Sequence, residues 1–137
     1  MRRWVFAGLL LAACATVPTD MRVSLSPPNY YPSKDTSLGI GLLPVAAPPA
    51  GVTPRYRWTA DRGSFRSWSE TTHEIEEFGR ESVNNGGKLY WRYDAADMQT
   101  FTPAIVTVIT EDAKTGKELA VTVIRFEFDG ELVRVAR

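Results

Sequence analysis

The side chains with the strongest intrinsic chemistry in this chain are few: one histidine, His73, one cysteine, Cys14, and a run of carboxylates, Glu70, Glu74, Glu76, Glu77 and Glu81. A serine triad needs a histidine to carry the nucleophile's proton, yet His73 lies in Thr71-Thr72-His73-Glu74 and no Gly-x-Ser-x-Gly elbow occurs. Zinc calls for several Cys and His ligands at set spacings, and one of each does not supply them. The acidic run suggests paired carboxylates for acid–base work or a calcium cluster, but its spacing matches no calcium loop and reads first as a solvated face. The chain is therefore expected to be no enzyme, with no catalytic residues, no metal and no cofactor.

Aromatic side chains offer binding chemistry instead. Trp68, Tyr90, Trp91 and Tyr93 are the right types to stack on sugar rings or peptide. In an extended Leu89–Tyr93 the side chains alternate, so Leu89, Trp91 and Tyr93 share one face while Tyr90 and Arg92 share the other. Trp91 is expected in the core, and Trp68, Tyr90 and Arg92 form the candidate binding surface.

At the amino terminus, Arg2 and Arg3 precede an apolar run from Trp4 to Ala13 that Pro18 and Asp20 close. About 20 apolar residues are needed to span a bilayer as a helix, so this run is too short. A basic start, an apolar middle and small residues before a break are the parts of a secretory signal. The segment Leu11-Ala12-Ala13-Cys14 resembles the signal of bacterial lipoproteins. That resemblance implies a signal peptide at 1–13, cleavage before Cys14, a diacylglycerol on its sulfur, an acylated amino group and a short tether over 14–20. Each buried methylene adds about 0.8 kcal/mol and a single myristoyl chain holds only marginally, so several chains imply stable membrane attachment. Ala15 after the cysteine resembles the outer-membrane sorting pattern of enterobacterial lipoproteins, implying an outer-membrane protein facing the periplasm or cell surface. Alternatively, Ala13-Cys14-Ala15 is an ordinary small-x-small cleavage site that releases a soluble protein starting at Thr16.

Loss of residues 1–13 leaves 124 residues, with 14 basic against 16 acidic side chains. Nucleic-acid modules usually gather a basic surplus on one face, so no nucleic-acid partner is expected. The length suits one domain with one core, and a lipidated Cys14 leaves no disulfide to staple it.

Alternation dominates the rest of the chain, and Gly, Pro and Asn punctuate it every eight to twelve residues or so, as in an all-β sandwich. Helical periodicity is nearly absent. Strands are expected at 21–25, ended by Pro27 and Pro28, at 38–42, and at 55–59 with Trp58 in the core. Gly39 and Gly41 suggest a face that something else approaches closely, and 44–54 reads as a connection between sheets. Asp61-Arg62-Gly63 turns into 64–68, and the segment from His73 to Phe78 fits an edge strand or a short helix. Asn84-Asn85-Gly86-Gly87 has the residues of a tight hairpin turn. Strands follow at 88–93, 102–111 and 118–128, the last two joined by a turn at 114–117, and 132–135 extends that hairpin or adds an edge. Ile124, Phe126 and Phe128 define the buried face of 118–128. Val121 and Val123 then lie on the wrong face, predicting a bulge or a doubly covered section near them. Tyr30 and Tyr31 are expected in a loop near the anchored end, touching the membrane surface or packing across the bottom of the sandwich.

The run from Tyr56 to Phe65, with Tyr56-Arg57-Trp58 leading to Asp61-Arg62-Gly63, resembles a strand and turn common in bacterial Ig-like and PKD-like domains. The resemblance extends over most of residues 20–130. It implies an immunoglobulin-like antiparallel sandwich of about seven to eight strands over 21–137, with a core tryptophan on the third strand and no disulfide. Asp61-Arg62-Gly63 stands where PKD domains have Asp-Gly, and the polar stretch from Ser69 to Gly87 is where this chain departs from them. The function expected is a cell-envelope lipoprotein, held to the membrane by its lipid, that binds or scaffolds protein or envelope polysaccharide without catalysis. An accessory structural subunit of an envelope assembly is the alternative.

Overall fold

The computed structural model describes residues 21–34, 38–45 and 48–137. The expected signal peptide, Cys14 and the tether lie outside the described residues. Every strand pairing is antiparallel, and the strands form two five-stranded sheets. In spatial order the first sheet holds β1 (Arg22–Leu25), β2 (Ile40–Val45), β7 (Leu89–Arg92), β4 (Ser64–Ser69) and β5 (Glu74–Gly79). The second holds β10 (Val133–Val135), β9 (Glu118–Phe128), β8 (Ala104–Asp112), β3 (Pro54–Ala60) and β6 (Glu81–Asn84). The described residues therefore make an all-β sandwich of ten strands, more than the seven to eight expected.

Period-2 patterning explains the strands, because alternate residues of each supply one shared core. Tyr56, Trp58 and Ala60 of β3 and Ala104, Val106 and Val108 of β8 are buried from one sheet. Ile40, Leu42, Phe65, Leu89 and Trp91 are buried from the other. The Trp91 and Phe126 rings stack across the gap with centroids 4.8 Å apart and an interplanar angle of 14°. Both buried indoles keep a partner for their N–H, as buried tryptophans generally must. Trp91 Nε1 donates to the Arg62 carbonyl at 2.9 Å and Trp58 Nε1 to Asn84 Oδ1 at 3.3 Å. Gly63 permits the first of these: a Cβ there would stand 2.6 Å from Trp91 Nε1 and 2.5 Å from the Arg92 carbonyl, and its φ is +79°.

Tyr30 is buried in this core, bridging backbone-to-backbone with Val133. Its hydroxyl accepts from the Tyr93 amide at 2.9 Å, so Tyr30 packs across one end of the sandwich. The close approach predicted at the glycines is real at Gly41, where a Cβ would collide with the Ser26 carbonyl.

Several expectations shift. Strand β2 begins at Ile40 and continues through Pro44 to Val45, shortening the connection before β3. The segment from His73 is an edge strand, β5, with no helix. A short helix, α1 (Ala95–Thr100), follows β7 where no helical period is visible. Asn84 to Gly87 does not close a hairpin, because β6 and β7 belong to different sheets. Asn84 accepts the Trp58 indole and the Gly86 amide (3.2 Å) there, so the segment is a side-chain-fastened crossover. The register slip of the β8–β9 pair falls between Thr110 and Glu111, opposite Glu118 and Ala120. That is the bulge expected near Val121 and Val123, which lie on the outer face, each 52% exposed, with no second layer over them among the described residues.

Candidate functional site

Register carries the candidate residues to one side of the first sheet. Arg66 lies opposite Tyr90 and Ser64 opposite Arg92. Since Phe65 and Trp91 point into the core, alternation sends Arg66, Trp68, Tyr90 and Arg92 out on the far side. They share a face but do not form a flat stacking platform. The Lys88 ammonium sits 5.2 Å from the Tyr90 ring centroid, and Arg92 lies over the buried Tyr30 ring at 5.1 Å. Both are cation–π distances. Arg66 turns sideways to Glu77, with an Nη2 to Oε1 distance of 3.0 Å.

Trp68 is 43% exposed and takes part in a different arrangement. It pairs with Ile75 across the β4–β5 hairpin and meets the His73 ring edge-on at 6.2 Å. His73 sits in the turn with φ +59°, its amide donating to the Ser69 carbonyl at 2.8 Å. Beside Trp68 opens a recess of about 540 Å³, bounded by Ser67, Phe78, Ser82, Val83 and Leu89. The recess lies along the open flank where the first sheet ends in β5 and the second in β6.

A bulge aims Phe78 there. Phe65 pairs with Gly79 and Arg66 with Glu77, so Phe78 is the extra residue of β5. Gly79, with φ +76°, supplies the left-handed conformation such bulges use. The chain then crosses to the second sheet at Arg80, which brings Val83, 58% exposed, to the same opening. Its polar lining is Ser67, Ser82, Asn84 and Lys88, and Ser67 Oγ stands 3.5 Å from Glu76 Oε1. Sequence reasoning found Trp68 but missed Phe78 and Val83. The available signal was a lone phenylalanine beside glycine inside an acidic run.

A second, smaller recess of about 440 Å³ lies at the opposite end of the sandwich, among Pro32, Met98, Phe101, Phe128 and Gly130. Phe101 is there in a left-handed conformation, φ +54°, its ring 5.5 Å from Phe128.

Beside the smaller recess, the Leu132 and Glu131 amides hold the Asp129 carboxyl below its usual range, and the other perturbed groups lie elsewhere. Glu111 is buried on the outer face of the second sheet and clamped by two guanidinium groups, Arg55 at 2.8 Å and Arg57 at 3.1 Å. The Arg55 hydrogen bond, above all, holds its carboxyl below the usual range. Burial pushes the Tyr93 phenol up to about 12 and raises Tyr30 and Tyr56 as well. Among the described residues, no group of three or more His, Cys, Asp or Glu side chains is placed to hold a metal ion.

Set beside known proteins, the chain matches no family model, no curated protein and no solved structure.

Proposed function

We propose that this chain is a lipid-anchored lipoprotein of the cell envelope whose sandwich is a non-catalytic protein-binding module, working through the flank between β5 and β6. The observation that carries it is the gathering of Trp68, Phe78 and Val83, each at least 41% exposed, around one recess at paired sheet edges. Interface cores favour such aromatic anchors in a pocket with a polar rim, and Ser67, Ser82, Asn84 and Lys88 supply it. A protein suits this surface better than envelope polysaccharide, because Lys88 already covers the Tyr90 ring and leaves no broad aromatic platform for a sugar.

The anchor is the reading of Leu11-Ala12-Ala13-Cys14, with cleavage before Cys14 and an outer-membrane destination. A tether from Cys14 to Asp20 reaches at most about 25 Å when fully extended. It would join β1 at Arg22, which pairs with Val45 at the same end of the sandwich as Trp68 and Leu89. The recess would therefore lie near the membrane, and its partner would be an envelope protein at or close to the bilayer. We also read the sandwich as immunoglobulin-like. The neighbours β1-β2-β7-β4 and β9-β8-β3 follow the order of that fold's two sheets, and Trp58 sits on the third strand as its core tryptophan does.

Replacement Cys14→Ser tests the anchor by fractionation and acyl labelling. The expected result is loss of the label and of membrane attachment. Attachment and labelling equal to the unaltered chain would overturn the anchor.

A further inference from the structure

Strand β5 ends the first sheet, and its outer edge has no strand beside it among the described residues. All six residues from Glu74 to Gly79 are exposed. The free N–H and C=O groups of such an edge are a template for another strand, and native sheets usually blunt them with short strands, charged side chains, proline, bulges or cover. β5 contains no proline, and its bulge at Phe78 leaves Glu74 to Glu77 in regular register with β4.

Charge decides which strand the edge accepts. Like charges directly opposite each other are unfavourable and opposite charges favourable. A second copy of β5 would set carboxylates against carboxylates, so self-pairing is disfavoured and a basic strand is selected. Glu77 is already engaged by Arg66, which leaves Glu74 and Glu76 to choose the guest. Because strand side chains alternate, Glu74 and Glu76 share one side of β5 while Ile75 and Glu77 share the other, and the bulge at Phe78 ends that alternation. A guest carrying cations on the first side meets both carboxylates, and its position beside Phe78 opens into the recess.

Resting on the reading of this flank as a protein-binding surface, we propose that β5 accepts an extended basic segment of a partner protein as an added strand. Alternate lysine or arginine residues meet Glu74 and Glu76, and a large apolar residue beside Phe78 enters the recess. Strand addition of this kind takes affinity from main-chain hydrogen bonds and specificity from pockets for alternate side chains.

The probe is a labelled synthetic peptide, Leu-Thr-Lys-Val-Lys-Val-Lys, titrated into the full chain in non-ionic detergent. Its charge-reversed control is Leu-Thr-Glu-Val-Glu-Val-Glu. The lysine peptide is expected to bind and to slow amide hydrogen exchange across Glu74–Gly79 but not in β1, the other edge of the same sheet. The double replacement Glu74→Lys with Glu76→Lys lies on exposed side chains and keeps the backbone. It should weaken that peptide about tenfold, as two attractive pairs become repulsive, and should favour the control. Phe78→Ala should weaken it about fivefold through the recess. No binding, protection elsewhere, or an unchanged preference after charge reversal would overturn strand addition. If cross-links from position 78 to an envelope protein persist while the peptide fails, strand addition falls and the protein-binding reading stands.

Discussion

Tyr30 joins the two sheets through three hydrogen bonds, and Tyr30→Phe isolates one of them. Its amide donates to the Val133 carbonyl at 3.1 Å and its carbonyl accepts from the Val133 amide at 2.9 Å, so the backbone belongs to the second sheet. Its hydroxyl accepts from the Tyr93 amide at 2.9 Å, reaching the end of β7 in the first. Phenylalanine keeps the ring, the cover by Arg92 and the backbone bridge, but leaves the Tyr93 N–H buried without that acceptor. An unsatisfied buried donor costs about 1–3 kcal/mol. For a domain of this size each kcal/mol moves the thermal midpoint roughly 4 °C, so the midpoint should fall about 4–12 °C. Thermal denaturation followed by circular dichroism measures it, and faster amide exchange at Tyr93 locates it. A midpoint within about 1 °C of the unaltered protein, with Tyr93 exchange unchanged, would refute the hydroxyl's part in holding the sheets together.

Alkaline stability follows from the same buried phenols. Their folded pKa values are raised, so their contribution is complete below the ordinary phenol value of 10 and drains as pH rises towards the value near 12 of Tyr93. Urea unfolding should therefore be flat near neutrality and weaken over that window, with Tyr93→Phe flattening the fall. At the acid end Glu111 is lowered by Arg55 and Arg57, so its contribution is present above the usual carboxylate range and is lost as pH falls through its folded value. Glu111→Gln should lower the neutral midpoint and reduce its acid sensitivity. Equal acid profiles for the two proteins would contradict this.

Much of the core was legible in the sequence because burial imposes alternation. Trp58, Trp91, Val106 and Phe126 lie where period-2 patterning puts them, and all four are fully buried. Val121 and Val123, apolar residues off the core face, were enough to signal the bulge that lies beside them. The same signal fails at the edges. β5 buries nothing, so Glu74 to Gly79 carries no period that separates a strand from a helix. β6 is a short strand whose existence depends on β3, a partner distant in sequence, so it was not expected. The recess was hidden for a related reason. Trp68, Phe78 and Val83 converge only through the hairpin, the bulge at Phe78 and the crossing at Arg80, and none of these is a property of a local window.

Site-specific photo-cross-linking in intact cells tests the central claim most directly. A photoreactive phenylalanine analogue is placed at position 78, in the recess, and at position 121, on the outer face of the opposite sheet. A protein-binding flank predicts one discrete cross-linked envelope protein from position 78, lost with Trp68→Ala, and none from position 121. No adduct from position 78, or the same adducts from both positions, would contradict it.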